Sequence, residues 1–288
     1  MSTVIPTSIQ AAAEHSKSVH RPSVLRALGP CDPPSCVEIA GTSFERTEIV
    51  KHDSWAATAF YEADGRRIVC KFHRWQPILG IPMSWLGRFL ASHERGVYRR
   101  LDGIENIPAE LGDVTVVGKR QPNAVAHEFI PGHPLGDNER ADAAFFDQIE
   151  SLLRRIHERG VAYVDTHKCE NILVGDDGKP YLFDFQISFA LPQTWLVRLT
   201  PLPWLLRMLQ GTDEYCLFKH RVVRCRDLVI NWREMDRLRP WWIRAHRALA
   251  EPLRNARRRF LVLIGVRKGT GRAESEAAPE VAFRRTAA

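Results

Sequence analysis

The chain predicts an α+β protein in which a small strand-rich region precedes a mostly helical one. Three observations carry this. Short extended apolar runs separated by turn residues recur between Thr47 and Ile130, interrupted by one helical stretch. The clearest helical face, Phe145, Ile149, Leu152, Leu153 and Ile156, comes after them. Beyond Ser188 the pattern is helical and rich in Arg and Trp.

Residues 1–43 are polar, with scattered Pro and Ser, and are read as a flexible N-terminal arm. Order is expected from Phe44. Thr47–Lys51 and Ala57–Tyr61 read as strands, and Asp64-Gly65 is a hairpin signal leading into the strand Arg67–Phe72. Trp85–Leu101 reads as a helix with Leu86, Phe89, Leu90, Val97 and Leu101 on its apolar face, although Gly87 and Gly96 weaken the pattern. Pro108 opens another extended region. Ala124–Ile130 is a short apolar strand that stops at Pro131-Gly132. Ala141–Arg159 is a helix, with Gly160 suited to its C-terminal cap. Ile172–Val174 and Tyr181–Phe183 form two short strands joined by a polar turn. Residues 268–288 read as a disordered tail.

The chain has 288 residues and 44% hydrophobic content, which supports a sizeable core. Its six cysteines are scattered, so no disulfide framework is expected and a reducing cytosol is the default compartment. Cys31 and Cys36 lack a second ligand pair for zinc and are read as ordinary thiols. The first residues carry neither the basic region nor the apolar core of a secretion signal. No apolar run reaches the roughly 18 residues of a spanning helix. The net charge of +7 calls for an acidic partner: ATP, a phosphorylated substrate, or an anionic membrane surface. No nucleic-acid-binding motif accompanies the charge, so no nucleic acid is expected. The expected location is cytoplasmic, with peripheral attachment at the inner face of the membrane as a variant.

The chemistry concentrates in Tyr163-Val-Asp-Thr-His-Lys-Cys-Glu-Asn171 and in Phe183-Asp184-Phe185-Gln186. One short loop supplies Asp165, Lys168 and Asn171, and a hairpin then delivers Asp184 at the end of an apolar strand. Phosphoryl transfer from a nucleotide needs such a set: an acceptor for the substrate hydroxyl proton, a cation near the moving phosphate, and oxygen ligands for magnesium.

These two segments resemble the catalytic loop and metal-binding segment of the protein-kinase-like superfamily, and the chain from Thr47 to Ser188 is similar to such a domain. The resemblance implies a two-lobed kinase-like fold, with a β-rich N-lobe over 44–130 and a helical C-lobe over 131–267. It implies ATP and Mg2+ as cofactors. Val69-Cys-Lys71 resembles the strand whose Lys grips nucleotide phosphates, paired with a helix Glu; Glu94 is the best placed partner and Glu105 the weaker one. His127–His133 resembles the hinge whose backbone contacts adenine, at Glu128 and Ile130. Asp165 then orients or deprotonates the acceptor hydroxyl, with His167 the alternative proton acceptor. Lys168 stabilises the transferring group, and Asn171 and Asp184 bind the metal.

Departures from the family pattern are specific. Asp165 lies six positions before Asn171 instead of five, and Tyr163-Val164 stands in place of His-Arg. Gln186 replaces the Gly of Asp-Phe-Gly. No glycine occurs in Lys51–Phe60, where a phosphate-binding loop is expected. No Ala-Pro-Glu motif comes later in the chain. These reductions resemble RIO kinases and lipopolysaccharide core kinases more than typical protein kinases. The expected activity is phosphorylation of a hydroxyl on a protein Ser/Thr or on a sugar or lipid headgroup. Its rivals are a nucleotide-binding pseudokinase scaffold and a membrane-surface adaptor built on the Arg- and Trp-rich half. The segment Leu191–Leu209 either packs as a helix of the C-lobe or lies at a lipid interface, and the Arg-rich stretch around Arg254–Arg259, broken by Pro252, is either a solvated face or a contact to an anionic membrane; only the second member of each pair serves that last reading.

Overall fold

The computed structural model describes residues 26–78, 80–136, 139–225 and 237–263. It is mixed α+β. The described residues fall into two compact units. One comprises those up to Arg99 together with Ala109–Phe129, and the other comprises Arg100–Pro108 and those from Ile130 onward.

The first unit is built on an antiparallel sheet of seven strands: β1 (Cys36–Ile39), β2 (Thr42–His52), β3 (Ala56–Ala63), β4 (Arg66–His73), β5 (Val114–Val116), β6 (Lys119–Arg120) and β7 (Ala124–Glu128). Their order is β6-β5-β1-β2-β3-β4-β7. Helix α1 (Ser84–Arg100) connects β4 to the later strands. Order begins ahead of Phe44, so the expected arm over 1–43 is too long. Val37 and Ile39 are apolar at alternate positions of β1 and bury with Phe44 in the sheet's core.

Strand β4 decides which side chains helix α1 meets. All six residues from Ile68 to His73 are buried. Side chains alternate faces along a strand. Ile68, Cys70 and Phe72 join the apolar core, so Val69, Lys71 and His73 point to the opposite face. Helix α1 covers that face with a stripe that keeps only part of the expected one, Val97, with Leu101 buried just beyond the helix end. Gly87, Ala91, Glu94, Val97 and Tyr98 are buried, while Phe89 is 62% exposed. The helix is set by close approach: a Cβ on Gly87 would lie 2.1 Å from the Arg74 carbonyl oxygen. Gly87 is therefore a packing glycine, not a break in the helical pattern.

The second unit holds β8 (Gly132–Pro134), α2 (Ala143–Glu158), β9 (Val161–Ala162), β10 (Ile172–Gly175), β11 (Pro180–Leu182), β12 (Phe189–Ala190), α3 (Leu202–Arg224) and α4 (Trp241–Leu263). Asp142 caps α2 by accepting the Phe145 N–H at 2.8 Å. The buried stripe of α2 is the expected one with Phe146 added. The β10–β11 hairpin pairs Ile172 with Leu182, and β8 joins β10 on its other edge. Strands β9 and β12 pair separately.

Two further expectations change. Arg100–Pro108 belongs with the second unit, so the first is not one uninterrupted block over 44–130. Arg100 donates to the Arg159 and Leu191 carbonyls, and the Asn106 carbonyl accepts from Leu182 N at 3.2 Å, which pins this connection to the second unit. Helix α4 runs through Pro252, which removes one N–H donor without ending the helix. The expected tail over 268–288 lies outside the described residues. No helix among those described is long and apolar enough to cross a membrane.

Candidate functional site

In the first unit, Lys71 and Glu94 meet. Lys71 Nζ lies 3.2 Å from Oε1 and 3.1 Å from Oε2 of Glu94, with both side chains buried. Their meeting results from the strand face on one side and the buried helix stripe on the other. His73, two residues along the same face, adds a contact that sequence reasoning missed. Its Nε2 lies 2.9 Å from Glu94 Oε2, close enough to pair but poorly aligned for a hydrogen bond. The His73 backbone is fixed by Asn123 through both its N–H and its carbonyl.

The β2–β3 turn, where a phosphate loop was expected, is closed by its own acid. Asp53 Oδ1 accepts the N–H groups of Trp55 and Ala56 at 2.7 and 2.9 Å. Burial opposes ionisation of Asp53, but the Lys51 ammonium and these two donors outweigh it and hold its carboxyl below the ordinary range. Arg74 fixes the same turn by donating to the Ser54 carbonyl at 2.6 Å. The backbone donors of this turn thus already hold an anion.

The expected hinge residues are less available than the resemblance implies. Strand β7 ends at Glu128, leaving Ile130 beyond it. The Glu128 N–H donates to the Ala109 carbonyl at 3.0 Å, and its carbonyl lies 2.8 Å from His127 Nδ1.

In the second unit, Asp165 is 2% exposed and sits at the centre of a fixed loop. Its Oδ2 accepts from Lys168 Nζ at 2.7 Å and from Asn171 Nδ2 at 2.8 Å. Its Oδ1 is buried and makes no hydrogen bond. His167 Nδ1 lies 3.3 Å from Oδ1, and the His167 side chain is half exposed. Desolvation lowers the His167 pKa below the usual imidazole value, with Lys168 and Lys219 acting the same way, against the pull of Asp165. Thr166-His167 form a turn, closed by Lys168 N–H to the Asp165 carbonyl at 3.2 Å.

The loop is held from α3. Asp213, fully buried, accepts from Tyr163 N at 2.7 Å, Val164 N at 2.8 Å and Thr166 Oγ1 at 2.6 Å. His220 Nε2 meets the Thr166 carbonyl at 2.8 Å. Arg224 reaches Cys169 Sγ at 2.7 Å. Asp213, His220 and Arg224 recur at helical spacing and are all buried. None was singled out from the sequence. The signal was there: Asp213 is the first acidic residue after Asp184.

This hold supports strained backbone at Val164, whose N–H Asp213 accepts, and Asp184 shares the left-handed region. Val164 has φ +69° and Asp184 φ +63°. A β-branched residue in the left-handed region is a true outlier, and such strain persists only where surrounding bonds over-determine it. Tyr163 ties the two segments together, its hydroxyl donating to the Phe183 carbonyl and lying 3.4 Å from the Asn171 carbonyl. The hairpin pairing brings the chain leaving Asn171 beside the chain entering Asp184.

Among the described residues, no group of three or more His, Cys, Asp and Glu side chains is arranged to hold a metal. A magnesium ion keeps several waters and binds through one or two protein oxygens plus substrate phosphates, and Asn171 and Asp184 carry oxygen atoms of the kind it takes. With Asn171 Nδ2 turned to Asp165, its amide oxygen faces away from that carboxylate. Compared with known proteins, the chain matches no family model and no curated protein.

Proposed function

We propose that the chain is an ATP- and magnesium-dependent phosphotransferase with a two-lobed protein-kinase-like fold. The observation that carries this reading is the division of labour on Asp165: one carboxylate oxygen is fixed by Lys168 and Asn171, while the other is buried without a hydrogen bond. His167 Nδ1 approaches that oxygen to 3.3 Å without a hydrogen bond, which leaves it able to accept from an acceptor hydroxyl.

In the proposed reaction, the hydroxyl proton passes to Asp165 Oδ1 as its oxygen forms a bond to the γ-phosphorus. The bond from that phosphorus to the bridging oxygen breaks, releasing ADP. Lys168 balances charge on the transferring group. Lys71, held by Glu94, grips the nucleotide phosphates, and the chain at Glu128 and Ile130 lies against adenine. Asn171 and Asp184 would hold a magnesium ion, whose charge would neutralise that of the phosphates. The acceptor is a protein Ser/Thr or a sugar or lipid headgroup.

A second reading, a nucleotide-binding scaffold without turnover, is favoured by one observation: Asp53 fills the donors of the turn where phosphates are expected. Labelled ATP with cell protein and membrane extracts separates the two. Asp165→Asn is expected to lower transfer by roughly 10²–10⁴-fold with ATP affinity little changed. Asp184→Ala is expected to abolish magnesium-dependent ATP binding in a folded protein. Wild-type protein that binds Mg-ATP and never transfers label supports the scaffold. A larger loss in His167→Ala than in Asp165→Asn moves the base to His167.

A further inference from the structure

We propose that the face formed by the 3-10 turn Trp195–Leu199 and the first turns of α3 docks on an anionic bilayer. The elements sort their side chains sharply. Val197 and Leu206 turn inward, at 7% and 8% exposure. Trp195, Leu196, Leu199 and Trp204 turn outward, at 73%, 54%, 79% and 58%. Arg198 and Arg207 are exposed among them. Packing into a helical core, the alternative open from sequence, accounts for Val197 and Leu206 but not for Trp195, Leu196, Leu199 and Trp204.

Composition and charge identify the partner. From Phe185 to Thr212 there is no Asp or Glu. The stretch itself therefore brings no acidic side chain against an anionic surface, and its two Arg favour one. Trp beside Leu, ringed by Arg, suits the headgroup–acyl boundary, where an amphipathic ring has one wet and one apolar side. Pro192, Pro201 and Pro203 bring no N–H groups to desolvate there. The turn is also built to hold its shape. The Thr200 hydroxyl donates to the Val197 carbonyl at 2.7 Å and accepts the Leu202 N–H at 3.3 Å. The segment is too short to span a bilayer, so it lies on the surface.

Its root is fixed beside the catalytic loop. Leu191 N donates to the Gly160 carbonyl at 2.9 Å, and β12 pairs with β9, which runs directly into Tyr163. Docking would bring that loop to hydroxyls presented at the membrane surface. This consequence for the acceptor rests on the phosphotransferase reading; the docking does not.

Vesicle co-sedimentation without nucleotide tests the docking, using phosphatidylglycerol–phosphatidylcholine and pure phosphatidylcholine vesicles at low and physiological salt. The full chain is expected to bind the anionic vesicles, more weakly as salt rises, and to bind neutral ones much less. Trp195→Ser, Leu199→Ser and Trp204→Ser combined should lower that affinity at least about tenfold, since all three side chains face out. Arg198→Gln with Arg207→Gln should lower it about fivefold per charge, on anionic vesicles only. No binding to anionic vesicles at low salt, or unchanged binding in both folded variants, overturns the proposal. Because nucleotide is absent, neither result bears on phosphotransfer.

Discussion

Glu94 serves two partners at once, Lys71 and His73, inside a face with almost no access to water. Removing one member of a buried ion pair costs about 3–5 kcal/mol, because the other charge loses its compensation. Glu94→Gln should therefore destabilise the first unit by about that much, and Lys71→Met by less, since His73 still faces the carboxylate. The pair should couple by about 0.5–3 kcal/mol in a double-mutant cycle read from urea midpoints. Strict additivity would show that the contact contributes nothing to the fold. Lys71 and Glu94 were legible in the sequence through the resemblance, which implies a strand Lys paired with a helix Glu, and Glu94 had the best position on the expected helix. His73 was equally placed by the alternation of β4, but nothing in its residue type marks it as a partner of Glu94. Asp213 was hidden for a different reason: a buried Asp on a helix is recognised by the N–H groups it accepts, and those belong to a loop fifty residues earlier.

At the scale of elements, the β2–β3 turn and the loop at Asp165 make opposite use of a carboxylate. Asp53 commits its oxygen to the turn's own amides, while Asp165 keeps one oxygen unbonded. If the turn meets nucleotide phosphates, Asp53 opposes them twice, by its charge and by occupying the donors. Asp53→Asn should then raise ATP affinity several-fold, a gain visible by calorimetry and reduced at high salt. Unchanged or weaker affinity would remove this turn from the nucleotide site. The absence of glycine here was legible from the sequence; its consequence for phosphate binding stayed open there. That a side chain already sits on the amides was not legible, because the Asp-x-x-Ala turn is a local backbone arrangement compatible with many loops.

The whole molecule shows why the α+β class was legible while its boundaries were not. Periodicity found α2 and the β10–β11 hairpin because their buried faces are apolar and regular. It found α1 with Val97 and, just past its end, Leu101, but misjudged the first half of its face, where Gly87, Ala91 and Glu94 are buried and Phe89 is not, and it began the sheet too late because β1 has only Val37 and Ile39 to reveal it. Buried polar groups that defeat such patterns also set how the molecule responds to pH. His220 is buried against the loop at Asp165, and burial, aided by Arg224, pushes its pKa down to about 3. In the unfolded chain the same imidazole titrates near its ordinary value of 6.5. Between these values the unfolded chain takes up a proton that the folded one refuses. His220 therefore contributes no pH dependence above about 6.5, and stability falls as the pH drops from there toward 3. The slope attributable to this one group is about 1.4 kcal/mol per pH unit at most. Other groups add slopes of their own, so the test is a difference. Urea unfolding at pH 7.5, 6.5 and 5.5 should show wild-type stability declining at the lowest pH more steeply than in His220→Gln, where no imidazole remains to be protonated. Parallel curves for the two proteins would mean that His220 already carries its proton in the fold, and that the hold of α3 on the Thr166 carbonyl is that of an imidazolium.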